Sequence, residues 1–326
     1  DDRLYPESRT IHAGDTFEVS PEGHPEWAFR VHLKAQIEVP AATYGQSGKT
    51  LFISDTEGEF AILRNLLIRA GVMDDKYRWQ YGQGSLVIDG DMFDRGKDVV
   101  PQFWLLYRLE DEAKAAGGQV HILLGNHEQM CLSGDIRYTD AKYFKNAWLL
   151  KTSVKELFGK DTELGRWLRS KNIVEKLGDV LVMHAGLSPE VVRMNLSLQQ
   201  LNEQARPYYD IPARQVPQHL NLLFNASSPF WYRGYFREPK ISMVQLDSTL
   251  QQYGAKYIVV GHTLIKWNVA SYYKGKVIGI DVDTHQNQEA AALYQNGRWK
   301  VMDAKGRYKN ISYDPANDQI KESDIL

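Results

Sequence analysis

Five short motifs carry carboxylates, histidines, an amide and an arginine, the side chains that proteins use to hold divalent cations and phosphate groups. They are Ser-Asp-Thr-Glu-Gly at 54–58, Gly-Asp-Met-Phe-Asp-Arg-Gly at 90–96, Gly-Asn-His-Glu at 125–128, Met-His-Ala-Gly at 183–186 and Gly-His-Thr at 261–263. One such motif alone is weak evidence for a functional site, because an ordinary turn with a solvated histidine or arginine can have the same sequence. Five of them, each after a strand-like segment, predict one shared site.

The residue types suit the hydrolysis of a phosphate ester by two metal ions. Two divalent ions about 3.5–4 Å apart can supply an attacking hydroxide and neutralise the phosphoryl oxygens. Asp91, in the central motif, is the predicted bridge between the ions, and Asp55 and Glu57 are the predicted ligands of the first ion. The predicted ligands of the second ion are Asn126, His184 and His262. The shared hydroxide is then expected to attack phosphorus in line.

Three further residues are predicted to act on the substrate beside the ions. His127 follows Asn126 directly, which places an imidazole next to the metals as the general acid for the leaving alkoxide. Asp94 is predicted to accept the ring N–H of His127 and to hold the imidazole in position. Arg95 offers a planar fork of donors that matches phosphate oxygens.

The motifs need a scaffold that brings distant chain segments to one edge. The predicted strands are 51–54, 85–89, 120–124, 180–183 and 257–260, followed by 268–273, 277–281, 290–294 and 298–302. Amphipathic helices are predicted at 59–70 and 99–116. This alternation is the βαβ pattern of an α/β fold, in which ligands bind beyond the carboxyl ends of the strands.

The domain organisation is predicted from two interruptions of this rhythm. Residues 1–50 are predicted to be an N-terminal extension packed on the domain, with one strand-like alternation at 29–39. Residues 51–326 are predicted to form the catalytic domain. Segments at about 129–176 and 187–240 are predicted insertions that build a cap or wall over one edge of the sheets.

Composition excludes several classes of protein. The chain of 326 residues is 43% hydrophobic and 25% charged, which fits a globular protein. Its formal net charge of -2 gives no polyanion-binding signature, so no nucleic-acid partner is predicted. No apolar run approaches the roughly 20 residues of a membrane-spanning helix. The single cysteine, Cys131, excludes an internal disulfide framework and a cysteine-rich zinc site, and is predicted to be a buried apolar thiol.

The chain begins at Asp1 rather than at an initiator methionine. This start favours removal of an export signal and therefore a periplasmic or secreted location, while a trimmed chain and a cytoplasmic location stay open.

The order and spacing of the motifs resemble the phosphoprotein phosphatase branch of the calcineurin-like metallophosphoesterases. That family reads Gly-Asp-x-His-Gly, Gly-Asp-x-x-Asp-Arg-Gly, Gly-Asn-His-Glu, His-(Ala or Gly)-Gly and a late Gly-His or Ala-His. The resemblance covers about 51–283. The pair Asp94-Arg95 is diagnostic of this branch, and Leu264 stands where the wider superfamily has a second metal-binding histidine.

Within the branch, Pro-Phe-Trp-Tyr-Arg-Gly at 229–234 resembles the Trp-Tyr-Arg-Gly segment of the bacterial, Shewanella-like protein phosphatases. This resemblance implies that Arg233 is a second phosphate-binding arginine, with an aromatic wall segment and a solvated arginine as the alternative. It also implies the fold: a β-sandwich of two mixed sheets flanked by helices, with helical insertions and with the metals at the loop-bearing edge.

The resemblance implies an enzyme that hydrolyses phosphate monoesters in the manner of a protein Ser/Thr phosphatase. Its substrate is then a phosphorylated protein or small molecule, and two arginines around a dinuclear centre suit a terminal phosphoryl group. Two alternatives stay open. One is hydrolysis of dinucleoside polyphosphates or another pyrophosphate, and the other is a non-catalytic relative that only binds phosphate.

Glu57 departs from the family, which has histidine at this position. A carboxylate is a harder, anionic ligand, so manganese is the predicted metal, with iron, magnesium and zinc left open. Three carboxylates and a hydroxide make the dinuclear centre neutral, whereas a histidine would leave one positive charge. A less positive centre acidifies bound water less, which predicts an alkaline activity optimum and weak binding of the first ion.

Three residues near the end of the matching region have no firm role from sequence. Asp281 and Asp283 either support a ligand histidine or belong to a plain turn. His285 adjoins them, and nothing in the sequence places it on a metal.

Replacing Glu57 by histidine should move the activity optimum to lower pH, because the centre gains one positive charge and acidifies water more strongly. The measurement is the pH–rate profile of phosphate-ester hydrolysis at saturating metal for both proteins. An unchanged profile would contradict the charge argument.

Overall fold

The computed structural model describes residues 7–266 and 269–326. In chain order its strands are β1 (Thr16–Val19), β2 (Phe29–His32), β3 (Thr43–Tyr44), β4 (Lys49–Ile53), β5 (Ser85–Asp89), β6 (Gln119–Leu123), β7 (Glu175–Leu177), β8 (Val180–Val182), β9 (Tyr257–Val260), β10 (Ala270–Tyr272), β11 (Val277–Gly279), β12 (Ala291–Gln295), β13 (Arg298–Met302) and β14 (Tyr308–Asn310). Its helices are α1 (Phe60–Arg69), α2 (Val99–Ala115), α3 (Asn126–Ser133), α4 (Ala141–Leu149), α5 (Val154–Leu157), α6 (Glu163–Ser170), α7 (Pro189–Arg193), α8 (Leu198–Ala205) and α9 (Met243–Tyr253).

The first large sheet has the strand order β14-β13-β12-β4-β5-β6. Strands β4, β5 and β6 are parallel, with α1 and α2 as their connections, and β12, β13 and β14 continue the sheet in antiparallel pairs. The parallel strands are buried on both faces. In β4, Leu51 and Ile53 belong to the core shared with the helices, and Phe52 faces the second sheet. Such double burial produces continuous apolar runs rather than alternation.

The second large sheet has the strand order β10-β11-β9-β8-β7-β3. Strands β8, β9 and β11 are parallel, while β7 and β10 pair antiparallel with their neighbours. A separate apolar core lies between the two sheets, with Phe52, Val87 and Leu123 from the first and Val182 and Val259 from the second. The predicted fold, a β-sandwich of two mixed sheets flanked by helices, is therefore confirmed.

The predicted elements agree closely with the observed ones. The strands predicted at 85–89, 257–260 and 298–302 have these bounds in the structure, and the helices predicted at 59–70 and 99–116 differ by one residue at their ends. The strand predicted at 268–273 is β10, and its expected first residue, Asn268, lies outside the described residues. The alternation at 29–39 forms a strand only as far as His32.

The N-terminal residues pack on the first sheet's helices and also extend the second sheet. Strands β1 and β2 form an antiparallel ribbon, with Phe17 against Trp104 of α2 and Phe29 against Phe60 of α1. Strand β3 pairs with β7. The division into a 1–50 extension, of which 1–6 lie outside the described residues, and a 51–326 domain stays a prediction.

The two predicted insertions consist mainly of helices. Residues 129–176 include most of α3 and all of α4, α5 and α6, and 187–240 include α7, α8 and several 3-10 turns. Their role as insertions stays a prediction. Across 7–266 and 269–326, no helix combines the length and apolar composition that crossing a membrane requires. Cys131 is fully buried, and burial raises the pKa of its thiol well above the usual value, as expected for an apolar thiol.

Candidate metal centre

Five loops from both sheets meet at one edge of the sandwich. The loops after β4, β5 and β6 carry Asp55, Asp91 and Asn126, and the loops after β8 and β9 carry His184 and His262. Backbone hydrogen bonds join neighbouring loops: Asp55 N donates to Gly90 O at 3.2 Å, and Gly261 N donates to His184 O at 2.8 Å. The sandwich therefore brings together motifs that are up to two hundred residues apart in the chain.

Many of the site residues have left-handed backbone conformations, which residues other than glycine rarely adopt. The φ angles are 52° at Asp55, 39° at Glu57, 49° at Asp91, 75° at Asp94, 56° at Arg95 and 63° at His262. Each such conformation costs about 1–2 kcal/mol and persists only where the surrounding structure enforces it. The loops of the site thus store strain that other contacts must offset.

Glu128 is the main contact that holds two of these loops. Its Oε1 accepts hydrogen bonds from Met92 N (2.7 Å) and Phe93 N (2.9 Å), and its Oε2 accepts from Gly125 N (2.7 Å) and Asp91 N (2.9 Å). The side chain is completely buried. Hydrogen bonds to a charged group contribute about 1.5–3 kcal/mol each, so this carboxylate can offset the backbone strain around Asp91.

Two glycines let the same loops approach each other. A Cβ atom at Gly125 would overlap Asp91 Oδ1, and a Cβ atom at Gly90 would lie 2.7 Å from His184 Nδ1. Both approaches are closer than van der Waals contact, so any larger residue at position 90 or 125 would push the predicted ligand side chains apart.

The predicted ligands of the second ion converge as a set of acceptor atoms. The inward atom of the Asn126 amide, Oδ1, lies 2.7 Å from His262 Nδ1, 3.1 Å from His184 Nε2 and 3.3 Å from Asp91 Oδ2. His184 Nε2 is also 3.0 Å from Asp91 Oδ2. The oxygen and nitrogen atoms of these four side chains converge on one point and are of the types that bind divalent cations, so the residues fit a divalent metal ion.

The orientation of His184 favours metal binding through Nε2. Its Nδ1 donates to the backbone carbonyl of Asp89 at 2.7 Å, which leaves the Nε2 lone pair pointing into the site. Burial disfavours the charged ring, but Asp91 outweighs burial and raises the pKa of His184 well above its usual value. Metal binding at Nε2 must therefore displace a proton. Burial, together with His184 and Arg233, lowers the pKa of His262 well below the usual value, so this second imidazole is neutral.

Asp55, a predicted ligand of the first ion, lies against the backbone of His262. Asp55 Oδ2 accepts from His262 N at 3.2 Å and from the Ser54 hydroxyl. Burial raises the pKa of Asp55 to about 6, with His184 opposing the shift and Asp91 adding to it. A bound cation would reverse the effect of this crowding of carboxylates.

Two groups of potential metal ligands share Asp91. The ligand atoms of Asp91, His184 and His262 all lie within 4.8 Å of one another, and so do those of Glu57, Asp91 and His127. A shared carboxylate between two clusters is the arrangement expected of a dinuclear site. Together with the family match reported below, these groups support binding of divalent metal ions.

His127 faces the centre and is held from behind by a buried carboxylate. Its Nδ1 lies 2.7 Å from Asp94 Oδ2, and Thr139 Oγ1 donates to the other oxygen, Asp94 Oδ1, at 2.8 Å. Its Nε2 lies 3.8 Å from Asp91 Oδ2. Burial disfavours the charged ring, but Asp91 and Asp94 outweigh it and raise the pKa of His127. The imidazole is therefore positioned to hold a proton beside the metal cluster.

Two arginines contact residues of the cluster. Arg95 forms an ion pair with Glu57 and has its guanidinium 5.3 Å from the ring centre of Tyr138, and 41% of its side chain is exposed. Arg233 is largely buried, and its Nη1 donates to His262 O at 2.7 Å and to Thr263 Oγ1 at 3.3 Å. Both guanidinium groups therefore adjoin the predicted ligands and leave donors free for an anion.

All the residues singled out for the site are thus brought together, while their individual roles stay predictions. Sequence reasoning missed two contributors. Glu128 was recognised only as part of a motif, and His285 was given no role, although its Nε2 lies 2.6 Å from Glu57 Oε2.

Asp281 is buried, and burial, followed by Asp55, raises the pKa of its carboxyl well above the usual value. Asp283 accepts from Gln286 N and closes a 3-10 turn, so its turn role is the one observed.

A groove of about 1000 Å3 opens beside Arg233. Aromatic side chains form part of its wall, and Trp231 also packs edge-on against His262 at 5.8 Å between ring centres. Both predicted insertions contribute lining residues, among them Gln129, Ser133, Phe224, Trp231, Tyr232 and Arg237. The groove therefore adjoins Arg233 and lies between the two predicted insertions.

Comparison with known proteins gives consistent matches. A model of the calcineurin-like phosphoesterase family matches residues 48–266. The crystal structure of the cold-active protein tyrosine phosphatase of a psychrophilic Shewanella species is similar, with a TM-score of 0.86 and 34% identity over 94% of this chain and 92% of that one. Shewanella-like protein phosphatase 2 of Arabidopsis thaliana is 25% identical over 295 residues, 76% of this chain and 74% of that protein. An uncharacterised protein of Schizosaccharomyces pombe is 29% identical over 262 residues, 78% of this chain and 76% of that protein. The resemblance predicted from the five motifs is confirmed.

Replacing Glu128 by glutamine should lower the free energy of unfolding by about 3 kcal/mol, because an amide nitrogen would face backbone N–H donors that now bind a carboxylate oxygen. Urea unfolding in the presence of a chelator measures the change without a contribution from metal binding.

The matched control is Glu203→Gln on α8, an exposed residue whose carboxylate accepts from Gln199 and whose replacement should cost less than about 0.5 kcal/mol. Equal effects of the two substitutions would show that Glu128 does not hold the loops.

Proposed function

This chain belongs to the calcineurin-like phosphoesterase family, and on that basis we propose that it is a phosphatase that hydrolyses phosphate monoesters on proteins with the help of two divalent metal ions. The single observation that carries the proposal is the presence of two arginines, Arg95 and Arg233, beside a cluster of metal-competent residues. A terminal phosphoryl group has three free oxygens, enough for two ions and two guanidinium groups to share.

The chain's own residues account for binding and orientation of the phosphate. Asp55, Glu57, Asp91, Asn126, His184 and His262 would hold the metal ions. When bound, such ions activate water and neutralise charge on the phosphoryl oxygens. Arg95 reaches the phosphate from the solvent side, and Arg233 from the buried side, where its bonds to His262 O and Thr263 Oγ1 fix its position. This fixed position favours one orientation of the ester and so an in-line geometry.

His127 supplies the proton for the leaving group. Asp94 binds Nδ1, so the proton available for transfer is at Nε2, the nitrogen that faces the cluster. Burial lowers the pKa of His127, but Asp91 and Asp94 outweigh burial and raise it, which favours the protonated form that a general acid requires. Above that pKa the acid is lost, so hydrolysis of esters with poor leaving groups should decline.

Manganese is the proposed metal because Glu57 adds an anionic oxygen ligand to the first position. Oxygen ligands favour manganese, magnesium and iron over zinc. The contact of Glu57 with both Arg95 and His285 keeps its carboxylate directed at the site.

A protein substrate fits the groove beside Arg233. Its volume of about 1000 Å3 is at the upper end of small-molecule pockets, and it is open at the surface. The similar Shewanella enzyme is described as a protein tyrosine phosphatase, and the Arabidopsis relative as a protein phosphatase. An extended peptide that carries the phosphorylated side chain could lie along this groove.

The proposal is tested by p-nitrophenyl phosphate hydrolysis with metal-stripped protein to which manganese, magnesium, zinc or iron is added. Manganese should restore the highest activity, and Asp91→Asn should lower it by about 1000-fold, equivalent to about 4 kcal/mol of activation free energy. The diester bis(p-nitrophenyl) phosphate should be a much poorer substrate, because its phosphorus carries fewer free oxygens.

Faster cleavage of the diester would indicate a phosphodiesterase. Absence of turnover with every metal, in protein shown to be folded by circular dichroism, would indicate a phosphate-binding protein without catalysis.

Replacing His127 by glutamine should affect substrates according to their leaving groups. Hydrolysis of an alkyl phosphate such as phosphoserine in a peptide should fall by about 100- to 10,000-fold, because the alkoxide needs a proton. Hydrolysis of p-nitrophenyl phosphate should fall by less than about 10-fold, because p-nitrophenolate leaves without one. The comparison uses kcat for both substrates, with the exposed His219→Gln as control. Equal losses for both substrates would assign His127 to metal binding.

A further inference from the structure

A 3-10 turn near the end of the chain docks onto the first motif of the metal centre. The turn spans Thr284–Gln286, between β11 and β12. Thr284 Oγ1 donates to the backbone carbonyl of Asp55 at 3.2 Å. His285 lies beside it, with Nε2 2.6 Å from Glu57 Oε2 and Nδ1 3.1 Å from Glu59 Oε1. A segment remote in sequence thus contacts the loop that carries both predicted ligands of the first ion.

We propose that His285 is a positioning residue that fixes the Glu57 carboxylate as a ligand of the first metal ion. The inference rests on the proposed function, in which Glu57 binds that ion. A carboxylate only accepts hydrogen bonds, so the imidazole donates from Nε2 to Glu57 Oε2. The donated bond holds Oε2, while Oε1 is paired with Arg95 and lies 3.9 Å from His127 Nε2, so the two contacts together set the plane of the carboxylate.

In the contact between His285 and Glu57, the residue that binds the metal and the residue that supports it are exchanged relative to an arrangement common in metalloproteins. A histidine that binds a metal usually donates its second ring N–H to a carboxylate, which fixes the ring and strengthens the ligand. Here the carboxylate of Glu57 takes the ligand position, and the imidazole of His285 takes the supporting position. The same two groups are present with their places exchanged. The exchange explains how a chain that lacks the family's histidine at position 57 can still hold a directed ligand there.

A purely structural role for His285 predicts a different outcome. Its side chain is 31% exposed, and partly exposed ion pairs contribute little to stability. The turn also has its own supports, because the Asp283 side chain accepts from Gln286 N and Thr284 binds Asp55 O. Removing the imidazole should therefore leave the fold intact. The affinity for the first ion is the property that separates positioning from folding.

The first experiment titrates metal-stripped protein with Mn2+ by calorimetry, without substrate. Wild type should bind two ions, and His285→Leu should bind the first ion about 10- to 100-fold more weakly, with the second ion unaffected. His285→Gln keeps an N–H donor and should recover most of the affinity. His219→Leu, an exposed histidine on a remote 3-10 turn, is the matched control and should behave as wild type.

The second experiment exchanges the two residue types. The double variant Glu57→His with His285→Glu restores one imidazole and one carboxylate in the common arrangement, and should bind two ions again. Thermal unfolding of each metal-free variant should match wild type.

The possible outcomes separate this inference from the proposed function. A wild type that binds fewer than two ions, or lacks phosphatase activity, contradicts the proposed function. A wild type that binds two ions and is unaffected by His285→Leu, or a double variant that binds the first ion no better than His285→Leu, overturns the positioning role alone.

Discussion

The metal centre depends on one buried carboxylate that accepts four backbone hydrogen bonds. Glu128 joins the loop after β5 to the start of α3, where the chain would otherwise have to relax its left-handed residues. The first three residues of α3 therefore have three different roles. Asn126 lies among the predicted ligands, His127 lies between Asp94 and Asp91, and Glu128 turns inward and binds the loop after β5. This division explains why a short motif can carry so much of the chemistry.

Much of the fold could be predicted because the sheet strands are buried on both faces. Continuous apolar runs such as 85–89 and 257–260 give a strong signal, and each ends in a polar, glycine-containing turn. The ligands directly follow these turns, so locating the strand ends also located the candidate site. The weaker predictions concerned short elements. Strand β3 has only two residues and depends on its pairing with β7, which no local pattern could reveal.

The features that sequence could not supply are those that depend on contacts between distant segments. His285 meets Glu57 only after the chain has folded across both sheets, and its neighbours carry no spacing typical of a metal site. The positive φ angles at Asp55, Asp91 and His262 likewise depend on tertiary contacts, although aspartate and histidine adopt such conformations more often than most residues. The sequence places Glu128 in a motif, but its four hydrogen bonds can be identified only from the positions of the two loops.

The origin of the ligands in both sheets has a consequence for the mechanical behaviour of the molecule. Asp55, Asp91 and Asn126 belong to the first sheet, while His184 and His262 belong to the second. A bound ion would therefore connect two sheets that elsewhere pack against each other through apolar contacts. Metal occupancy and the cohesion of the sandwich are linked quantities, since any ligand that binds only the native state stabilises it. The predicted ligands would therefore contribute to the stability of the sandwich as well as to the proposed chemistry.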